Sequence, residues 1–107
     1  MKEIKAFVRP GKIQEVVSNL RKAGHLSLTV FKGEGTGDYT DPDKEWPSLD
    51  LPFLHSKVIK LEIVCDNNDV NSIVELIRTH GRTGKSGDGL IYITDINETI
   101  RIREKQK

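Results

Sequence analysis

Eight consecutive residues, Arg82-Thr83-Gly84-Lys85-Ser86-Gly87-Asp88-Gly89, carry the chemistry most readily read from this chain. Gly84, Gly87 and Gly89, set among two cations and two hydroxyls, suit a backbone that wraps an anion. Glycine accepts positive φ and lets main-chain N–H groups converge on a phosphate. Gly84-Lys85-Ser86 also matches the end of a Walker-type phosphate loop, but the first glycine of that motif would fall where Thr79 stands. A helical pattern precedes the stretch and a strand follows it, the reverse of the P-loop order. A Walker-type NTPase is therefore excluded.

The remaining reactive side chains form no constellation. His25, His55 and His80 are scattered and each reads as a surface or turn residue, and no nucleophile stands beside a base in the pattern, so the chain is expected not to be an enzyme and to have no catalytic residue. Slow nucleotide hydrolysis is the weaker alternative. His55, with Asp38, Asp41, Asp43, Glu45 and Asp50, is a weak candidate for a metal site. The EF-hand template fails, since counting from Asp41 places Trp46 where it needs Gly and Pro52 where it needs Glu. No closely spaced His/Cys set marks zinc. Cys65 lies within an apolar strand pattern and reads as a reduced core thiol, which points to a cytoplasmic protein.

Bulk properties narrow the class further. A chain of 107 residues is one domain, large enough for a core and marginal as an isolated monomer. Its net charge of +1, with no basic face, argues against nucleic-acid binding. No apolar run approaches membrane-span length, and Met1-Lys2-Glu3-Ile4-Lys5 alternates like a strand, so neither membrane insertion nor a signal peptide is expected.

The elements that must position the glycine loop follow from periodicity. Residues 2–9 alternate, with Ile4, Ala6 and Val8 on one face. Ile13, Val16, Val17 and Leu20 form a helical stripe that Gly24 ends. A second strand covers 26–32 and a third 57–65, with Ile59, Leu61, Ile63 and Cys65 facing inward. Asn67-Asn68-Asp69 offers N-cap chemistry for a second helix striped by Val70, Ile73, Val74 and Ile77. A fourth strand spans 90–94. The order is β-α-β-β-α-β, an α+β ferredoxin-like plan with an antiparallel sheet. Both helices cover one sheet face; the other, carrying Thr29, Phe31, Val58, Lys60, Glu62, Val64 and Tyr92, is too apolar to be a comfortable solvated surface and is expected to meet another subunit. Between strands two and three, residues 33–55 hold glycines, prolines and acids that break regular structure. Residues 36–56 read as a long flexible insertion whose Tyr39, Trp46 and Phe53 either dock a partner or pack the loop on its own domain.

The chain resembles the PII signal-transduction proteins and their PII-like relatives over nearly its whole length, except residues 38–56. The resemblance rests on Ile4 to Pro10, Gly24 with Thr29-Val30, Gly35-x-Gly37 and Lys60-Leu61-Glu62-Ile63-Val64, then on the glycine loop and Ile100-Arg101-Ile102-Arg103. It implies a homotrimer binding adenine nucleotide (ATP, ADP or AMP, with Mg²⁺ left open) in clefts between subunits. Carried over by residue, Arg82, Thr83, Gly84, Gly87, Asp88, Gly89 and Leu90 lie along the phosphates, with Arg101 and Arg103 arriving from a neighbouring subunit. Two arginines at i, i+2 on a strand-like tail point the same way, and guanidinium forks suit phosphate. Thr29, Gly35, Gly37, Glu62 and Val64 would line the adenosine or the cleft floor.

Departures from the family pattern redirect the function. Leu90 stands where the family carries a phosphate-contacting lysine, and Tyr39 and Val58 replace the glutamine and lysine used for magnesium and 2-oxoglutarate. Lys57 is adjacent to Val58 but is expected on the opposite sheet face. Leu51 replaces a tyrosine that some members modify. The resemblance then implies a regulator that docks residues 36–56 on a protein partner, a membrane transporter first, being recruited to the membrane by it. Sensing of a metal or a small anion such as bicarbonate is the alternative.

Overall fold

The computed structural model describes residues 1–104. Its elements are β1 (Lys2–Val8), α1 (Ile13–Lys22), β2 (Thr29–Gly35), β3 (Ser56–Cys65), α2 (Val70–Gly81) and β4 (Ile91–Asp95). The strands form one sheet in the order β2-β3-β1-β4, and every neighbouring pair is antiparallel. This is the α+β ferredoxin-like fold that the pattern predicts.

Alternation decides which face becomes core. Ile4, Ala6 and Val8 of β1 and Ile59, Leu61, Ile63 and Cys65 of β3 are buried, together with Val16 and Leu20 of α1 and Ile73 and Ile77 of α2. Full burial of a side chain such as Ile4 or Leu20 stabilises the fold by about 1.5–3 kcal/mol. Burial also raises the pKa of the Cys65 thiol, which keeps it protonated and inert. Helix α1 ends in a left-handed turn at Gly24, φ 94°, where His25 N–H donates to the Leu20 carbonyl at 3.0 Å. His80 of α2 meets Glu15 of α1 at 2.8 Å, and this contact, ahead of the opposing effect of burial, lowers the Glu15 pKa.

The open face carries Phe31, Val64 and Tyr92, exposed at 46%, 45% and 39%. Between them runs a charge ladder in which Lys5 and Lys60 approach Glu62 at 3.9 and 3.3 Å. Lys60 also lies 4.7 Å from the centre of the Phe31 ring.

Four local expectations are corrected. Strand β2 starts at Thr29 instead of Leu26 and continues through Gly33 to Gly35, paired with Ser56, because an edge strand needs only extended backbone to ladder. The side chains of Asn67 to Asp69 make no capping bond; a 3₁₀ turn leads into α2, with Asp69 N–H donating to the Asp66 carbonyl at 3.0 Å. The tail turns at Arg101, whose carbonyl accepts from Glu104 N–H at 3.1 Å, so the two arginines do not lie on an extended strand. Residues 33–55 are also less irregular than their composition suggests. Pro42–Lys44 forms a 3₁₀ turn, and Trp46 and His55 exchange backbone hydrogen bonds of 2.8 and 3.2 Å.

Candidate functional site

The glycine loop is built around Asp88. Its carboxylate accepts from Thr83 N–H (2.9 Å), the Thr83 hydroxyl (2.7 Å), Gly84 N–H (2.8 Å) and Arg9 Nε (2.9 Å). Burial alone would push the Asp88 carboxyl up; the bonds from Arg9, Thr83 and Gly84 outweigh it and hold the group well below the usual carboxylate range. Asp88 thus closes the turn that positions its neighbours. The N–H groups of Ser86, Gly87 and Gly89 are left without a hydrogen-bond partner among the described residues.

Two glycines fix the loop against the rest of the chain. A Cβ on Gly89 would stand 1.6 Å from the Phe7 carbonyl oxygen, so β1 passes directly against the loop's end. Phe7 N–H donates to the Leu90 carbonyl there at 2.9 Å. Gly87 has φ 97°, and a Cβ on it would meet the Thr40 carbonyl oxygen at 2.6 Å. The long loop therefore rests on the glycine loop at Gly87.

Arg9, just beyond β1, joins the two. Besides Asp88, its guanidinium donates through Nη1 to Asp41 at 2.5 Å and through Nη2 to the Ser86 carbonyl at 2.8 Å. The hydrogen bond to Asp88 foremost, with both carboxylates, raises the Arg9 pKa against the effect of burial. Sequence reasoning missed Arg9 as a site residue because it ends an alternating strand and reads as an outward cation. Its proximity to a loop 79 residues later is a product of topology alone.

A cleft of about 650 Å³ opens between these parts. Thr83, Lys85, Ser86, Gly87 and Gly89 form one wall, Tyr39 to Trp46 another, and Arg9 with Lys12 a third. Lys57 and Val58, adjacent on β3, both line it. The cleft wraps the end of the sheet, so residues from both faces of β3 reach it. Arg82, Gly84 and Asp88 border a smaller cavity of about 300 Å³ on the other side of the loop, shared with Ile77 and Arg78 of α2. Gly89 lines both.

The other expected residues are spread over the surface of the single chain. Thr29, Glu62 and Val64 lie on the open sheet face, Thr29 paired with Glu62. Gly35 packs under Thr40, where a Cβ would come within 2.6 Å of the threonine methyl, and Gly37 takes φ 117° at the start of the long loop. The Leu90 side chain is half-buried at the loop's exit. Arg101 and Arg103 are exposed; Arg101 Nε lies 3.9 Å from Glu104, and Arg103 makes no ion pair among the described residues.

His55 is not the surface residue expected. It is 2% exposed, with Nδ1 2.7 Å from Glu34 and Nε2 3.4 Å from the Ser48 hydroxyl. Trp46 and Phe53 set their rings 5.8 and 5.6 Å from it while staying half-exposed. With contacts at both ring nitrogens, His55 ties the arms of the long loop together. Among the described residues no group of three or more His, Cys, Asp or Glu could hold an ion.

Fold and site together define a ferredoxin-like domain with a glycine-loop cleft at the rim of its sheet and one sheet face open. The family described as nitrogen regulatory protein P-II matches residues 1–106. The nitrogen regulatory protein P-II of Porphyra purpurea is 38% identical over 103 residues, covering 96% of this chain and 92% of that one. That of Nostoc punctiforme is 35% identical over 107 residues, 100% of this chain and 96% of its own. The nitrogen regulatory protein P-II 2 of Methanothermobacter thermautotrophicus is 37% identical over 103 residues, 96% and 90% of the two chains. The chain belongs to the P-II family of regulatory, signal-transducing proteins. No helix among the described residues is long and apolar enough to cross a membrane.

Proposed function

We propose that this protein is a cytoplasmic regulator that binds an adenine nucleotide (ATP, ADP or AMP) against its glycine loop and reports occupancy through residues 36–56. The observation that carries the reading is the set of free N–H groups at Ser86, Gly87 and Gly89, beside Lys85 on the wall of the cleft. Convergent amides with a nearby cation suit a phosphate chain. The open sheet face supports a homotrimer, and exposed Arg101 and Arg103 are cations that a neighbouring subunit's cleft can use. The tip of the long loop, with Leu49 fully exposed and Trp46 and Phe53 half-exposed, supports docking on a protein partner, a membrane transporter foremost. Regulation without turnover is the role proposed.

Sensing of a small anion in the same cleft is a second reading. It is favoured by Ser56, whose buried hydroxyl has no hydrogen-bond partner among the described residues although the residue lines the cleft beside Lys57. Calorimetry with ATP, ADP and AMP, with and without Mg²⁺ and bicarbonate, decides between the two. Micromolar binding of a nucleotide is expected; failure of all three at millimolar concentration defeats the nucleotide reading, and bicarbonate heat alone would select the second.

A further inference from the structure

We infer that Arg9 and Asp41 form a latch between the two loops, which an anion on the glycine loop opens by competing with Asp41 for the guanidinium. The inference rests on the nucleotide reading for the identity of the anion. The latch itself is present without any ligand.

The geometry separates a fixed half of Arg9 from an exchangeable half. Nε and Nη2 hold Asp88 and the Ser86 carbonyl, both within the glycine loop. Nη1 alone reaches the long loop, at Asp41. The other Asp41 oxygen accepts from Asp43 N–H at 3.0 Å and caps the Pro42–Lys44 turn, so the bond to Arg9 fixes where that turn lies. The loops also approach closely where Gly87 meets the Thr40 and Asp41 backbone, a contact that holds no charge. Arg9, Asp41, Asp43, Lys44 and Lys85 all line the one cleft.

Within such a cleft, phosphate oxygens and the Asp41 carboxylate are rivals. Both are anions, both suit the same guanidinium edge, and an anion at the free amides of Ser86 and Gly87 also repels Asp41 directly. Lys44, Lys57 and Lys85 have no ion-pair partner among the described residues and can take up ligand charge that Asp41 leaves uncompensated. Ligand binding and the latched loop are then negatively coupled, and the coupling is reciprocal: whatever weakens the latch must tighten the ligand by the same factor.

Asp41→Asn isolates this effect. Asparagine keeps an oxygen for Asp43 N–H, preserving the turn, and presents an amide to Arg9 in place of a carboxylate oxygen. Trypsin cleavage after Lys44 and emission from Trp46, the single tryptophan, report the loop. Without ligand, the Asp41→Asn chain is expected to be cut after Lys44 several-fold faster than wild type. It should bind ATP about fivefold tighter, at the lower end of typical coupling factors. ATP should accelerate the cut and shift Trp46 emission in wild type, and do neither in the variant. Asp50→Asn, on the same loop but outside the cleft lining, should match wild type. Equal cleavage of wild type and Asp41→Asn without ligand overturns the latch. Faster cleavage with unchanged ATP affinity overturns the coupling while leaving nucleotide binding intact. A wild-type chain that binds no ATP defeats the nucleotide reading and the coupling, and the ligand-free comparison still decides on the latch.

Discussion

Replacing Asp88 by Ala asks whether the glycine loop is organised by its own carboxylate. Four hydrogen bonds end on Asp88, and its side chain is about three-quarters buried. A hydrogen bond to a charged group contributes about 1.5–3 kcal/mol when the partner is then stranded. Thr83 and Gly84 are exposed, so water replaces much of what their N–H groups lose, and Arg9 keeps Asp41. The expected net cost is therefore about 2–3 kcal/mol, nearer the worth of one charged bond than of four. Urea unfolding checks it: with a slope of about 1–2 kcal/mol per molar, the midpoint should fall by about 1–3 M. Nucleotide affinity should drop at least tenfold, because the amides of Ser86 and Gly87 lose their common orientation. An unchanged midpoint would refute the assignment of Asp88 as the loop's organiser.

The same carboxylate sets an acid limit. Its folded pKa lies below its unfolded one, near 3.9. The stability it contributes is fully present above about pH 4 and is lost as pH falls from there through the folded value. Wild type should lose stability more steeply than Asp88→Ala below pH 4, and the two should run parallel between pH 5 and pH 8.

Three further outcomes are expected. Gly89→Ala drives a methyl into the Phe7 carbonyl and should cost about 3 kcal/mol or more, read by thermal unfolding. Phe31→Glu removes an exposed ring from the open face and sets a carboxylate opposite Lys60 in its place; it should convert the assembled species to single chains in light scattering, if that face is the subunit seam. Leu90→Lys should tighten ATP more than AMP in calorimetry, by about three- to tenfold, since a cation added at the loop's exit acts on the phosphate chain.

The fold was legible because its signals are periodic. Ile4-Ala6-Val8, the β3 alternation and the two helical stripes each name one buried face, and only one arrangement buries all of them together. The glycine loop was legible as an anion cradle for a different reason: three glycines have few uses outside unusual backbone conformations, and Gly84 and Gly87 do take positive φ. What could not be read was contact across the fold. Arg9, Asp41 and Asp88 are ordinary charged residues whose meaning appears only when β1, the long loop and the glycine loop converge. His55 misled for a related reason. Amid acidic, proline-rich sequence it reads as a solvated turn, yet Glu34, Trp46 and Phe53 enclose it because β2 extends far enough to carry Glu34 alongside.

Leu90 first reads as a cation lost from the site, but charge in this cleft has been moved more than removed. Val58 and Leu90 supply no cation, whereas Lys57 reaches the cleft from the start of β3, Lys44 from the long loop, and Lys12 from the turn after β1. A lysine at the glycine loop's exit would be anchored on the sheet, as Lys57 is; Lys44 lies on the turn that the proposed latch positions. Under the proposed latch, anion recognition would depend in part on where that loop lies, and the loop's position would depend in turn on the anion. A cleft with sheet-anchored cations could bind the same ligand tightly with little movement of the loop. The proposed latch would add to that a dependence of affinity on displacement of residues 36–56, the arrangement that a reporting segment requires.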